Sequence, residues 1–278
     1  MRSPLPPGSA MDAKRLMKWD RHFGAYRSAV TKPTIEGWID QFDDADRDLA
    51  ARLLDVVEFY GQAQVHAAYR QALGSLKGWN IAKVKRSGEW RFAAMSGSAG
   101  ESGDSMLYQF RVANQLDGAK FHDLFITRSD LARQALGPDD TVVLLDDFSG
   151  TGRQVSQAWN NPETAFGELL AGVGRVCLVL VAATSRAIKK IRDETVLTVL
   201  PAHELTDGDN LFSARCTHFT EMEKKRVLRY CKRASKSNPK GFGDCGLVVV
   251  FQHRTPNNTI PIFHAEHDSW TGLFPRHD

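Results

Sequence analysis

The chain has 278 residues, 42% hydrophobic and 25% charged, and Lys+Arg 36 against Asp+Glu 33 leaves a formal net charge of +3. That balance excludes a mainly disordered chain and the large cationic excess of a protein that tracks nucleic-acid phosphates over its whole surface. No segment approaches the roughly 18 to 20 uninterrupted apolar residues of a membrane span, and Cys177, Cys216, Cys231 and Cys245 lack CxxC spacing, so the sequence reads as a cytoplasmic protein with reduced thiols.

Met1 to Ala10 carries Pro4, Pro6, Pro7 and Gly8 and reads as a leader, and residues 1–33 as a flexible N-terminal tail. From Thr34 to Leu73 apolar residues recur at three- and four-residue steps (Ile35, Trp38, Ile39, Phe42, Leu49, Leu53, Leu54, Val57, then Val65, Ala68, Tyr69, Ala72). This spacing predicts consecutive amphipathic helices, a helical cap over residues 34–82. Residues 83–278 then read as an α/β core, with 34–278 forming one compact unit. Trp90 to Met95 is a short strand, Ser96 to Ser105 a loop of Ser and Gly, and Met106 to Asn114 a helix. Thr141 to Leu145 repeats the order more clearly: a buried strand, a polar glycine loop, and a helix from Arg153 to Trp159. Arg175 to Ala183, Thr184 to Asp193 and Val196 to Leu200 complete a β-α-β-α-β alternation, which predicts a parallel sheet. Thr220 and Glu223 form a capping box that starts a helix running to about Ala234, and Leu247 to Phe251 is the last strand.

The chemistry concentrates in Asp146-Asp147-Phe148-Ser149-Gly150-Thr151-Gly152-Arg153-Gln154. Ligands of parallel sheets bind at the carboxyl ends of strands, where amides at a helix N-terminus favour phosphate. Gly150 and Gly152 let a backbone approach closely, Ser149 and Thr151 add hydroxyls, and the two carboxylates suit sugar hydroxyls or Mg2+ held directly or through its waters. The outline is a phosphosugar site. The plainer alternative is a polar strand-to-helix turn capped by Ser149 or Thr151.

The stretch resembles the phosphoribosyl pyrophosphate motif of type I phosphoribosyltransferases, with Asp146, Asp147, Thr151 and Gly152 in register. The resemblance implies that Asp146 and Asp147 face the ribose hydroxyls as the catalytic and Mg2+-holding pair, and that Ser149, Gly150, Thr151, Gly152, Arg153 and Gln154 wrap the 5′-phosphate. Arg153 and Gln154 depart from the small residue and hydroxyl usual at those positions. Over about Thr34 to Arg276 the chain is more specifically similar to the PRTase-CE family. The residues that carry this are Trp38 to Phe42, the Ser-Gly loop before Met106, the acidic-pair motif, Asn238 to Asp244, Thr255 to Pro261 and Leu273 to Arg276. That family implies a phosphoribosyltransferase-like fold, a phosphosugar or nucleotide ligand and a setting in bacterial anti-phage conflict systems with a defence partner protein, while the wider motif implies glycosyl transfer from phosphoribosyl pyrophosphate.

In that scheme Ser96, Gly97, Ser98, Gly100, Ser102 and Gly103 occupy the place of the pyrophosphate loop. They carry no cation, which leaves Arg91 or Arg111 as candidates to supply one, and a plain surface loop is the competing reading. His253, Thr255, Asn257 and Asn258 form a polar group after the last strand, read equally as acceptor contacts or as turn residues. His264 and His267 lack the spacing of a helical zinc pair. Lys224, Lys225, Arg226, Arg229, Lys232 and Arg233 read as a solvated helix face or, alternatively, as a nucleic-acid contact. The rivals to an enzyme are a catalytically inactive nucleotide or phosphosugar sensor and a nucleic-acid- or partner-binding effector subunit.

Overall fold

Two aliphatic runs, Val142 to Leu145 and Val176 to Ala183, are too apolar for a surface and become neighbouring central strands, buried on both faces. The computed structural model describes residues 13–95, 103–161, 166–267 and 269–276. In chain order the elements are α1 (Ala13–Phe23), α2 (Lys32–Ile39), α3 (Arg47–Asp55), β1 (Glu58–Tyr60), α4 (Gln62–Ser75), β2 (Trp90–Ala94), α5 (Gly103–Ala113) and α6 (Arg128–Leu131). There follow β3 (Thr141–Ser149), α7 (Arg153–Asn160), α8 (Phe166–Leu169), β4 (Arg175–Thr184), α9 (Ser185–Glu194), β5 (Thr198–Leu205), α10 (Glu221–Ala234), β6 (Val249–Phe251), β7 (Glu266–His267) and β8 (Trp270–Thr271). The fold class is α/β with parallel sheets, as the alternation predicts.

The chain divides into two compact units, one made of Met1–Gln62 with Asp207–Asp278 and the other of Ala63–Thr206. The chain-order reading into tail, cap and core draws its boundaries elsewhere: α4, assigned there to the cap, lies almost wholly in the second unit.

In the first unit, residues 13–33 are not a tail throughout. Trp19 and Phe23, one turn apart on α1, are buried in an apolar cluster with Trp38, Phe42, Tyr230, Phe263, Trp270 and Phe274. The Trp38 and Trp270 indoles both donate to the Ile262 carbonyl, at 2.8 and 2.9 Å. The helical periodicity expected through residues 58–60 gives way to β1, which pairs in parallel with β6. The last predicted strand therefore joins a two-stranded sheet of the first unit and not the central sheet. Local periodicity cannot register this, because β1 and its partner are almost two hundred positions apart in sequence.

The second unit holds the four-stranded parallel sheet, in the order β2-β3-β4-β5. A single parallel bridge extends it: Phe125 lies beside Phe92, and the Ile126 N–H donates to the Phe92 carbonyl at 3.1 Å. The lateral order is thus Phe125, β2, β3, β4, β5, whereas the chain visits β2 first, steps outward to Phe125, and then crosses to β3. Right-handed crossovers place the connections on opposite faces when the direction reverses. Accordingly Phe110 of α5 meets Phe92 (5.1 Å between ring centroids) on one face, while Val155 and Trp159 of α7 and Ile188 and Ile191 of α9 cover Val142, Leu144, Leu178 and Leu180 on the other. The reversal lies between the carboxyl ends of β2 and β3.

Leu178 has no exposed surface on β4, between two partner strands. Leu178→Ala is expected to destabilise the second unit by about 2–5 kcal/mol, as a lost side chain plus a cavity. Urea unfolding followed by tryptophan fluorescence measures it.

Candidate functional site

Strand β3 outruns its neighbour β2. The register ends with Ala94 beside Leu145, and the Met95 N–H donates to the Leu145 carbonyl at 2.9 Å. Asp146, Asp147, Phe148 and Ser149 continue the strand along β4, with Ser149 beside Ala183. Asp146 is buried and Asp147 half-buried. Alternation along the strand puts Asp147 on the α5 face with Val143 and Leu145, and Asp146 on the α7 face with Val142 and Leu144. The Asp147 N–H donates to Asp146 Oδ1 at 2.9 Å, which fixes one carboxylate against its neighbour's backbone.

The chain then turns through Gly150, Thr151 and Gly152 into α7. Gly152 has φ +71°, and a Cβ there would stand 2.8 Å from the Ala187 carbonyl oxygen and 3.2 Å from Ile191 Cγ1. Only glycine meets both demands, a left-handed backbone and backbone contact with α9. Gly152, the N-cap of α7, has no side chain to cap it. The Arg153 N–H reaches Thr151 Oγ1 only at 3.4 Å. Thr184 ties the loop down from the next strand end: its hydroxyl donates to the Gly150 carbonyl (2.7 Å) and accepts the Ala187 N–H (3.0 Å), capping α9. Arg153 and Gln154, the first two residues of α7, are exposed. An uncapped helix N-terminus behind a left-handed glycine offers amides and about half a positive charge to an anion.

The structure thus brings Asp146, Asp147, Ser149, Gly150, Thr151, Gly152, Arg153 and Gln154 together at the carboxyl edge of the sheet. Gly103 opens α5. Ser96, Gly97, Ser98, Gly100 and Ser102 lie outside the described residues. Arg91 sits at the opposite end of β2, on Glu89 Oε2 and Gln134 Oε1, both at 3.1 Å. Arg111, in the last turn of α5, lies over the Phe125 ring at 4.8 Å.

His253, Thr255, Asn257 and Asn258 belong to the first unit. Thr255 has no exposed surface; its hydroxyl donates to the Phe274 carbonyl (3.0 Å) and meets the Tyr26 hydroxyl (3.2 Å). Asn258 Nδ2 donates to the Phe242 carbonyl (2.9 Å) and Cys245 Sγ (3.3 Å). These two act as internal fasteners. Asn257 is exposed, its carbonyl accepting the Phe242 N–H at 2.8 Å, and the half-buried His253 accepts Arg27 Nη1 on its carbonyl at 3.2 Å. In α10, Arg226 and Arg229 pair with the buried Asp46 at 2.7 and 2.8 Å, and the buried Lys224 with Glu221 at 2.8 Å, so part of the basic run is paired with carboxylates.

The residue that sequence reasoning missed is Tyr69. It is fully buried on α4, and its hydroxyl donates to the Asp146 carbonyl at 3.2 Å. Burial, then the charges of Asp147 and Asp146, push its pKa well above the usual tyrosine value. Its helical periodicity marked it only as a core position.

For Mg2+, two carboxylates beside a phosphate-favouring loop are a fitting donor set, since that ion takes one or two protein carboxylates and completes its shell with water and ligand phosphates. Among the described residues no group of three His, Cys, Asp or Glu side chains forms a self-sufficient metal cage, and no helix is long and apolar enough to cross a membrane. His264 Nε2 and His267 Nε2 face different carbonyls, Thr259 at 3.1 Å and Ala234 at 2.9 Å. The PRTase-CE family model matches residues 35–276, nearly the whole chain. No curated protein matches it.

Thr184→Val keeps the side-chain volume but deletes both hydroxyl bonds, and is expected to cost about 1–3 kcal/mol, read by thermal unfolding. His264 supplies a pH test. Burial lowers its pKa from 6.5 to about 4, so the unfolded chain binds the proton first as pH falls. Stability is then full above about pH 6.5 and is lost progressively towards pH 4, by on the order of 3 kcal/mol in all. His264→Gln should flatten that part of the profile in a pH series of denaturant melts.

Proposed function

Because the chain belongs to the PRTase-CE family, and is phosphoribosyltransferase-like in that sense, we propose that its carboxyl-edge site binds phosphoribosyl pyrophosphate or a related nucleotide with Mg2+ and transfers the phosphoribosyl group. The observation that carries this reading is the acidic pair at the carboxyl end of β3, followed directly by the glycine turn and the α7 N-terminus at the reversal of strand order. Carboxylates select sugar hydroxyls, and the loop amides with Ser149 and Thr151 select the 5′-phosphate; the two ligand ends differ in charge, and so do the two halves of the site.

Asp146 and Asp147 would hold the ribose hydroxyls or the waters of the ion. Bound Mg2+ would neutralise charge developing on the departing pyrophosphate. In the transfer, the bond from the anomeric carbon to the pyrophosphate oxygen breaks, the acceptor's lone pair forms the new bond, and the acceptor's proton leaves to solvent. The chain's own contribution is orientation and electrostatic stabilisation in a loop fixed by Gly152 and Thr184. Family membership also supports a setting in bacterial conflict, with a partner protein. A second reading, a sensor that binds without transfer, draws on Arg153 and Gln154, whose long exposed side chains begin α7.

At about a hundredfold its dissociation constant a ligand adds roughly 2.7 kcal/mol, a rise in Tm of roughly 5 to 10 °C for a chain of this size. Phosphoribosyl pyrophosphate with Mg2+ should produce that rise in the wild type and not in Asp147→Ala. No rise in either protein refutes the site. Pyrophosphate release in an acceptor screen separates transfer from sensing.

A further inference from the structure

Between α4 and β2 runs a loop, residues 77–88, that the phosphosugar chemistry does not use. It contains Lys77, Lys83, Lys85 and Arg86 and no acidic residue. Its composition is that of a solvated connection, yet it is stitched in place. Arg175 Nη2, at the start of β4, donates to the Lys77 carbonyl at 2.7 Å, and the Trp90 indole donates to the Ser87 carbonyl at 3.1 Å. Within the loop Arg86 donates to the Asn80 and Ile81 carbonyls at 2.6 and 3.0 Å, and its guanidinium lies over the Trp79 ring at 4.5 Å. Asn80 Oδ1 accepts the Ala82 N–H at 2.9 Å. What this scaffold carries into water is apolar. Val84, in the 3-10 turn Lys83–Lys85, is 93% exposed, the most of any large apolar side chain described, and Ile81 is 56% exposed. Lys77, Lys83 and Lys85 are exposed as well. Lys83 meets Glu89 at 3.1 Å, a carboxylate that also pairs with Arg91, while Lys77 and Lys85 make no ion pair among the described residues. One exposed aliphatic side chain is ordinary, but two on a loop held this firmly, among lysines, make a docking tip.

The chemistry of the tip selects among the surfaces that could receive it. Protein hot spots favour Trp, Tyr and Arg, and protein interfaces are poor in Lys. Nucleic acid is met through Arg and stacked rings, and here the Arg86 guanidinium and the Trp79 ring face each other. An anionic bilayer needs no matched cavity: small aliphatic side chains enter the boundary between headgroups and acyl chains, and flexible lysine stems carry their ammonium groups to the lipid phosphates. We propose that residues 77–88 dock the protein reversibly on an anionic membrane surface, with Ile81 and Val84 inserted and Lys77, Lys83 and Lys85 at the headgroups. Two aliphatic side chains are too small an anchor without the charge, so a neutral bilayer does not hold the protein. This surface is independent of the phosphosugar site, and either stands without the other.

The test sediments the full chain with vesicles of phosphatidylcholine and phosphatidylglycerol in equal parts, and with vesicles of phosphatidylcholine alone. Binding to the first, none to the second, and release in raised salt are expected. Val84→Asp should weaken partitioning by about tenfold or more, and Lys85→Gln by about fivefold. Both variants should keep the wild-type Tm, since neither side chain is buried. Met222→Asp makes the corresponding change on α10, where Met222 is 71% exposed ahead of the basic run, and should bind as wild type does. Failure of the wild type to sediment with the anionic vesicles overturns the proposal, and retardation of labelled single-stranded RNA in their place gives the lysines to nucleic acid. Undiminished binding by Val84→Asp, or a loss that follows Met222→Asp instead, overturns it equally.

Discussion

The Thr184 hydroxyl stands between two backbones, donating to the Gly150 carbonyl and accepting from the amide of Ala187. One atom thus fixes the turn after the acidic pair and starts the helix against which Gly152 is pressed. Without that double bond the loop between β3 and α7 would keep its composition and lose its shape, because a glycine-rich turn has little conformational preference of its own. The carboxylates and the α7 N-terminus take their positions from strand ends that this contact ties together. Preorganisation of this kind lets a site hold a multiply charged ligand without reordering itself.

The central sheet was legible because its strands are unusually apolar. Val142 to Leu145 and Val176 to Ala183 could hardly be anything else, and their alternation with short helices implies parallel pairing. The capping box at Thr220 and Glu223 placed the start of α10 at the right residue. The acidic-pair loop stood out because two carboxylates and two glycines directly follow so apolar a strand. Three things were not legible, each for a physical reason. Phe125 extends the sheet through a single bridge, too short to leave a pattern. β1 and β6 find each other across almost the whole chain, and three-residue strands carry no period. Tyr69 reads as one apolar position among several on α4, since burial of a ring says nothing about where its hydroxyl ends.

Charge was the least faithful guide. The run from Lys224 to Arg233 has the composition of a basic surface, but Asp46, buried and shared by Arg226, Arg229 and Tyr230, pairs with part of it. A buried carboxylate of this kind is costly unless fully partnered, and three donors meet that cost. The polar segment after β6 behaves similarly: Thr255 and Asn258 spend their hydrogen bonds on the backbone around them.

The first unit is assembled from both flanks of the chain, while the second is one uninterrupted stretch from Ala63 to Thr206. On a ribosome the two cannot mature in the order in which they begin. Trp19, Phe23 and Trp38 emerge before the second unit, yet Tyr230, Phe263, Trp270 and Phe274, which close over them, are made only after the whole of that unit. The parallel sheet with its acidic pair is complete as a stretch of chain while those aromatic side chains still lack their cover. Vectorial synthesis therefore exposes the N-terminal helices, and not the ligand loop, to chaperones and to misassembly.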